Sequence, residues 1–452
     1  MADPTQVLIL GAGFGGAHVA MELAKLARRE PALEITLVDE HDFLLYTPML
    51  TELVAGQVDP RHIVWAARKI SSRVQFVRGR VTALDLVEKS VTLAVGECDV
   101  NVPEATRTLR ADELVIALGS TSKFHNIPGL QEHALTIRDI AGAGRIRNRA
   151  LALLERAEVE ADDDARRALL TFVVGGGGFS GVETMAALND LVRDACTYYP
   201  AIQPSSLRML LCHHGDRLLP ELGGGLARYA QRQLERRGVE VRLHTSVTEA
   251  GADYAELDHH ERIPTRLLIW TGGETPSPVT ETLDCEHGKH GGIVVDGCCR
   301  VAGHQAIWAV GDCAEVPAPN GTASYAPTAQ NAVREGELVA QNIAAKLHGR
   351  RPRPLTYRPI GELALVGKRT GVASVYGFRI SGALAWALWR AIYLAKMPGR
   401  ATRVRILIDW LLDLVFGIDI VDLPVTSKGQ SIERPRTRRT RSVHSGDAPS
   451  KS

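Results

Sequence analysis

Several absences narrow this chain before any motif is read. Its 452 residues hold seven cysteines, at positions 98, 196, 212, 285, 298, 299 and 313, and no CxxC pair. Thiols without that spacing argue against a zinc site, and an odd number argues against a disulfide framework. No metal site is expected. The adjacent Cys298 and Cys299 sit in IVVDGCCRV, which reads as a turn between strands with no chemistry of its own. No run of 18 apolar residues occurs, so no single helix is expected to span a bilayer. The opening MADPTQ has neither the basic region nor the apolar stretch of a signal peptide. A net charge of +1 gives no general case for nucleic acid. Together these features point to a reducing, cytoplasmic compartment.

The charge is nonetheless uneven. Between Thr426 and Ser452 there are seven Lys and Arg against two Asp and Glu, a net of +5 that leaves −4 for the rest. This last stretch is poor in apolar residues and rich in Ser, Arg and Pro, so disorder is expected there. The chain is too long for one core, and two or three domains are expected.

The first motif is VLILGAGFGGAHVAMELAKLARR, a buried-type strand, then Gly11-x-Gly13-x-x-Gly16, then a helical pattern. Gly11 suits a tight turn. Gly13 lets backbone approach a pyrophosphate, and Gly16 lets helix and strand pack closely. The helix N-terminus offers free N–H groups to the anion. The next strand, EITLVDE, ends near Asp39, 23 residues after Gly16, where an acid can accept bonds from an adenine ribose.

The device recurs at FVVGGGGFSGVE, as Gly176-x-Gly178-x-x-Gly181. Here the following strand, SLRMLLCHH, ends without an acid, and Cys212, His213 and His214 take its place. The charged segment ALLERAEVEADDDARRALL before this turn looks like a seam where a second unit enters. The outer unit should then resume, and AIWAVGDCA, with Asp312 at a strand end, reads as that resumption. Two dinucleotide units suggest two different nucleotides. Hydride exchange between two nicotinamides would be idle, whereas a flavin paired with a nicotinamide can store two electrons for another acceptor.

LILGAGFGG, LVIALGS, VVGGGGFSGVE, LIWTGG and IWAVGDCA, in this order, resemble the flavoprotein disulfide reductase superfamily with two dinucleotide-binding domains. Within it, YTPMLTELVAGQVDP, GDRLLPEL, APTAQNAVREG and LALVGKRTG are similar to type II NADH dehydrogenases, the single-subunit, non-proton-pumping NADH:quinone oxidoreductases. The resemblance implies an α/β fold of two Rossmann-like domains, the second inserted in the first, with C-terminal amphipathic helices that associate with a membrane. It divides the chain into 5–140 and 291–375 for FAD, 165–290 for NADH, 376–425 for the membrane helices and 426–452 for the basic tail. FAD is expected on Gly11, Gly13, Gly16, Asp39, Val81, Gly119, Asp312 and Ala329, and NADH on Gly176, Gly178 and Gly181. Glu183 is expected near the nicotinamide, Gln330 at the quinone and Lys368 near the flavin. Where the family has a second Gln, this chain has Arg334.

Disulfide reductases of the superfamily carry an early Cys pair, but no cysteine precedes Cys98. Sulfide:quinone oxidoreductases need a Cys well beyond the third flavin segment, and the last one here, Cys313, lies inside it. A diffusible acceptor remains. From Ile380 to Val421, Pro398-Gly399 divides an apolar stretch into two helices. In the second, Arg405, Asp409 and Asp413 form one stripe, with an Arg405–Asp409 pair expected, opposite Val404, Leu407, Ile408, Leu411, Leu412 and Val415. In the first, Trp386, Trp389 and Tyr393 near Arg390 and Lys396 suit a membrane interface. The expected reading is an NADH:quinone oxidoreductase, peripheral on the cytoplasmic face of an inner membrane, with a homodimer sharing that surface. A flavin-dependent reductase of a soluble acceptor and a non-catalytic nucleotide sensor stay open as alternatives.

Overall fold

The computed structural model describes residues 4–28, 33–96, 105–319, 324–357 and 360–421. Cys98 and the basic tail lie outside these residues. Strand β1 (Thr5–Leu10) is followed by α1 (Phe14–Leu26) and β2 (Leu33–Asp39). Then come the short helix α2 (Leu50–Val54) and strands β3 (Val74–Arg78) and β4 (Glu113–Ile116). A second set begins with α3 (Ile140–Val159), β5 (Thr171–Gly175) and α4 (Phe179–Ala195), and continues with β6 (Arg208–Cys212), β7 (Val239–Arg242) and β8 (Leu267–Trp270). After it come β9 (Ile307–Ala309) and α5 (Ala329–Leu347), a hairpin sheet β10 (Gly361–Leu365), β11 (Gly371–Val375) and β12 (Phe378–Gly382), and finally α6 (Ala383–Lys396) and α7 (Arg400–Phe416).

The outer sheet has the order β9-β4-β1-β2-β3 and the inner sheet β7-β6-β5-β8, and every pairing in both is parallel. Continuous Val, Ile and Leu runs suit sheets covered on both faces. Because β9 pairs with β4, the outer sheet is completed by residues that follow the whole inner set. The chain crosses between the sheets at an antiparallel pair, Ser120–Ser122 with Glu274–Pro276.

Two main cores result. One gathers Ile9, Leu37, Val115 and Trp308 around the outer sheet. The other gathers Phe172, Val174, Leu211 and Ile269 of the inner sheet with Ile146 and Leu154 of α3, and it extends to Trp389, Ile406 and Trp410 of α6 and α7. The C-terminal helices are therefore packed onto the inner unit. No helix among the described residues is long and apolar enough to cross a membrane.

The orientation of α6 and α7 differs from the sequence expectation. Asp409 does not pair with Arg405, which is exposed; its Oδ2 accepts the Asp59 N–H at 3.2 Å and lies 2.6 Å from His62 Nδ1. Asp413 faces the interior near Arg390. The two aspartates of the stripe thus turn inward beside Ile406 and Trp410, which are seated in the core, while Arg405 stays outside. Leu411, Leu412 and Val415 are 54%, 50% and 71% exposed. Trp389 is buried in the inner core, and Arg390 also turns inward, where a buried carboxylate, Glu52, supplies the cation's counter-charge.

Candidate functional site

The two glycine turns have matching geometry. Gly11 has φ +99° and Gly176 φ +117°, left-handed values that favour glycine. A Cβ on Gly16 would lie 1.9 Å from the Gly11 carbonyl oxygen, and one on Gly181 would lie 1.8 Å from that of Gly176. A Cβ on Gly13 or Gly178 would meet no protein atom within 4 Å. Each turn therefore has one tight glycine, one close-packed glycine and one facing open space.

The helices behind the turns are prepared for anions. α1 and α4 start at Gly13 and Gly178 with no side-chain cap and no acid in the first turn. By contrast, Asp139 caps α3 and Thr328 caps α5. Free N–H groups and the positive end of the dipole are left at the two glycine turns alone among these four helices. The residues present fit two dinucleotide pyrophosphates.

Asp39 closes the outer turn, accepting the Ala12 N–H at 2.6 Å and the His41 N–H at 2.7 Å. Gly119 follows β4 with φ +65°, and a Cβ there would also point into open space. Val81 is buried on the strand Arg80–Asp85. Asp312 follows β9, with Oδ2 3.0 Å from the Ser120 hydroxyl, which is also 2.9 Å from Glu274 Oε2. Arg138 binds the Ser120 hydroxyl at 2.7 Å and pairs with Glu274. Burial and the nearby Glu274 push the Asp312 carboxyl above its ordinary range. Ser120, Arg138 and Glu274 escaped the sequence reading, although Ser120 directly follows the Gly119 that was singled out.

Ala329 and Gln330 open α5. That helix is held against α1 by a close approach, for a Cβ on Gly336 would lie 2.4 Å from the Gly15 carbonyl oxygen. Glu335 accepts the Gly311 N–H at 2.7 Å, and burial pushes its carboxyl up to about 7. Arg334 is engaged elsewhere, with Glu337 at 2.8 Å and over the Tyr357 ring at 5.3 Å.

Glu183 and Lys368 come together in a cleft of about 430 Å³, while Gln330 does not line it. Glu183 lies one turn into α4, and its carboxylate accepts the Leu365 N–H at 2.8 Å instead of facing the helix N-terminus. Desolvation pushes this carboxyl up to about 8. Lys368 donates its N–H to Asp190 Oδ2 at 2.7 Å and its ammonium pairs with Asp194. Across the cleft lies Glu52, 2% exposed. It accepts the Trp410 indole N–H at 2.8 Å and Arg390 at 3.3 Å. Arg390 lies 4.5 Å from the Trp386 ring and 4.6 Å from that of Trp410. The sequence signal for Glu52 was a charge within the apolar helical run LTELV.

This group makes a stability prediction. Glu52→Ala leaves Arg390 buried and unpaired and should cost about 3–5 kcal/mol. The paired change Glu52→Leu with Arg390→Met should recover most of that, read as the midpoint of urea unfolding. Equal losses for single and double variants would contradict the pairing.

Comparisons with known proteins give the chain's family and fold. Residues 5–336 match the family model described as pyridine nucleotide-disulphide oxidoreductase, and residues 360–419 match the NDH2 C-terminal domain. The chain is similar to a demethylphylloquinone reductase of Synechocystis sp., 31% identical over 90% of this chain and 95% of that one. It is similar to a type II NADH:quinone oxidoreductase of Mycobacterium tuberculosis, 29% identical over 90% of this chain and 86% of that one. The solved structure of Plasmodium falciparum NDH2 in complex with NADH superposes with a TM-score of 0.85, covering 92% of this chain and 99% of that one at 18% identity, which shows a shared fold. The chain belongs to the pyridine nucleotide-disulphide oxidoreductase family, in its type II NADH:quinone oxidoreductase branch.

Proposed function

We propose that the chain oxidises NADH and reduces a quinone, with FAD on the outer glycine turn and NADH on the inner one. The observation that carries this is the pair of uncapped helix N-termini, each behind a glycine that faces open space. Gly11, Gly13, Gly16, Asp39, Val81, Gly119, Asp312 and Ala329 would hold FAD, and Gly176, Gly178 and Gly181 would hold NADH. The domain division set out from the sequence is retained. When bound, the flavin accepts a hydride and releases two electrons to a second acceptor. The protein's own part is positioning.

Quinone reduction by NADH consumes one proton beyond the hydride. The raised carboxyl of Glu183 keeps its proton at neutral pH and lines the same cleft as the Lys368 ammonium, so Glu183 can hold that proton. Gln330, at the start of α5, is assigned to the quinone. We further infer that α7 meets a membrane surface, because it exposes Leu407, Ile408, Leu411, Leu412 and Val415 beside the exposed Arg400, Arg403 and Arg405. We assign the enzyme to the cytoplasmic side of an inner membrane, as a peripheral protein with a homodimer sharing the same surface.

Steady-state NADH oxidation by the flavin-loaded protein, with and without a short-chain quinone, tests the reading. Turnover that ignores quinone would contradict it. Glu183 adds a pH signature. The unfolded chain gives up this proton near the ordinary 4.5, whereas the folded chain keeps it to about 8. The native state therefore binds more protons in that window, and stability falls as pH rises through it. Glu183→Gln should flatten the fall of Tm between about pH 5 and 8. Parallel Tm profiles would show that Glu183 does not carry the proton.

A further inference from the structure

Trp389 of α6 is 1% exposed in the core of the inner unit, with its ring 4.3 Å from that of Tyr393. Its indole N–H has no hydrogen-bond partner. An indole N–H can only donate, and a buried one usually finds an acceptor. The other buried tryptophans do so. Trp308 donates to Glu113, Trp410 to Glu52 and Trp270 to the Lys123 carbonyl, each at 2.8 Å. Trp389 has instead a near neighbour, the Glu183 carboxyl of α4, with no bond closed between them.

Glu183 has one donor already in place, the Leu365 N–H of β10 at 2.8 Å. α6 packs on the hairpin sheet that supplies it. The charges around Glu183 are mostly engaged elsewhere. From α2, Glu52 sets a second carboxyl nearby, which works against a charge on Glu183. From the turn after β10, the Lys368 ammonium is held by Asp194, and Arg369 is exposed. On α4 itself, Asp190 is paired with Arg237. From α6, Arg390 is taken by Glu52, and burial keeps the Tyr393 phenol protonated. From α7, Asp413 brings one more carboxyl to the cleft. Beside the Leu365 N–H, what favours the charged form of Glu183 is the Trp389 indole.

We propose that Trp389 is a positioning residue whose indole N–H closes a hydrogen bond to the Glu183 carboxylate when that group gives its proton to the quinol. The inference rests on Glu183 holding the proton of quinone reduction. While Glu183 is protonated the N–H stays unpaired, so the bond stabilises the charged form alone and eases release. The proton leaves a Glu183 oxygen and forms one O–H of the quinol. NADH supplies the two electrons and the other hydrogen as hydride, and solvent returns a proton to Glu183.

The test is the pH dependence of Tm in the flavin-loaded parent, Glu183→Gln, Trp389→Phe and the double variant. The difference between parent and Glu183→Gln isolates the fall that belongs to Glu183, which ends near the pH of about 8 where the folded protein gives up this proton. Without the indole N–H the folded protein keeps the proton to higher pH, and the fall should run about one pH unit further. The double variant should show no such extension, since the carboxyl is gone. A general loss of packing lowers Tm at every pH and leaves the end of the fall in place. Benzothienylalanine at position 389 keeps the fused rings with sulfur in place of N–H, so it should extend the fall with a smaller loss of Tm than Trp389→Phe. A fall that ends at the parent's pH in both replacements of Trp389, or that moves only in Tyr393→Phe, overturns the proposal. So does the same extension in the Glu183→Gln background, where the indole would be acting on another group. Parallel profiles for the parent and Glu183→Gln would show that Glu183 does not carry the proton, and the reading beneath the proposal would fail with it.

Discussion

Gly13→Val should yield a folded, colourless protein. A Cβ at this position meets no protein atom within 4 Å, and the backbone, at φ −69° and ψ −169°, is one that valine adopts readily. The free protein has nothing there to clash with. The open space is the approach to the uncapped N-terminus of α1, where a pyrophosphate would lie, and two added methyl groups would occupy it. Flavin retained after gel filtration should drop below about a tenth of the parent's, a loss of more than ~1.4 kcal/mol in binding. The Tm should equal that of parent protein stripped of flavin, since a ligand stabilises only the form that binds it. Gly16→Val makes the contrast. Its Cβ would lie 1.9 Å from the Gly11 carbonyl oxygen and 3.2 Å from the Ala117 Cβ, so helix and strand must part. That variant should lose about 4 kcal/mol or more and accumulate as unfolded protein. Full flavin retention in Gly13→Val would remove the outer turn from the flavin site.

The second large effect belongs to α7. Leu411→Glu with Leu412→Glu puts two charges on a face whose leucines are half exposed and outside the cores, so folding should survive. Each change should remove about 1–3 kcal/mol of apolar partitioning. Together they should shift the protein from floating with liposomes to the soluble fraction. NADH oxidation with a water-soluble quinone should persist, because neither residue lines the cleft that holds Glu183 and Lys368. Oxidation with a long-chain quinone in liposomes should fall. High salt alone should release little of the parent, since screening weakens charge contacts but leaves apolar burial intact. A double variant that stays folded and lipid-bound would send the membrane contact elsewhere.

The glycine turns could be read from the sequence because local geometry demands glycine at Gly11, Gly16, Gly176 and Gly181, whatever surrounds them. The return of the outer sheet was equally plain, since AIWAVGDCA repeats the strand-then-turn pattern and β9 pairs as expected. The cleft was harder. Glu52 and Arg390 are 338 residues apart, and no spacing rule links them. Nor does helical periodicity say which face of α7 turns inward. A stripe of Asp409 and Asp413 opposite leucines looks like an ordinary surface helix, but His62, the Asp59 N–H and Arg390 on the body draw the carboxylates inward. A counter-charge likewise explains Arg390, while Trp389 is held by core packing against Tyr393. An aromatic–cation cluster resembles a membrane belt until a buried carboxylate such as Glu52 comes within reach of it.

Anaerobic titration of the flavin-loaded protein with NADH probes both turns at once. One equivalent of NADH should bleach the yellow absorbance, and a short-chain quinone added afterwards should restore it. In Gly178→Val, whose Cβ would enter the open space before α4, NADH should leave the colour unchanged while dithionite still bleaches it. Bleaching of Gly178→Val by NADH at the parent's affinity, or reduced parent protein that quinone does not reoxidise, would contradict the assignment of donor and acceptor.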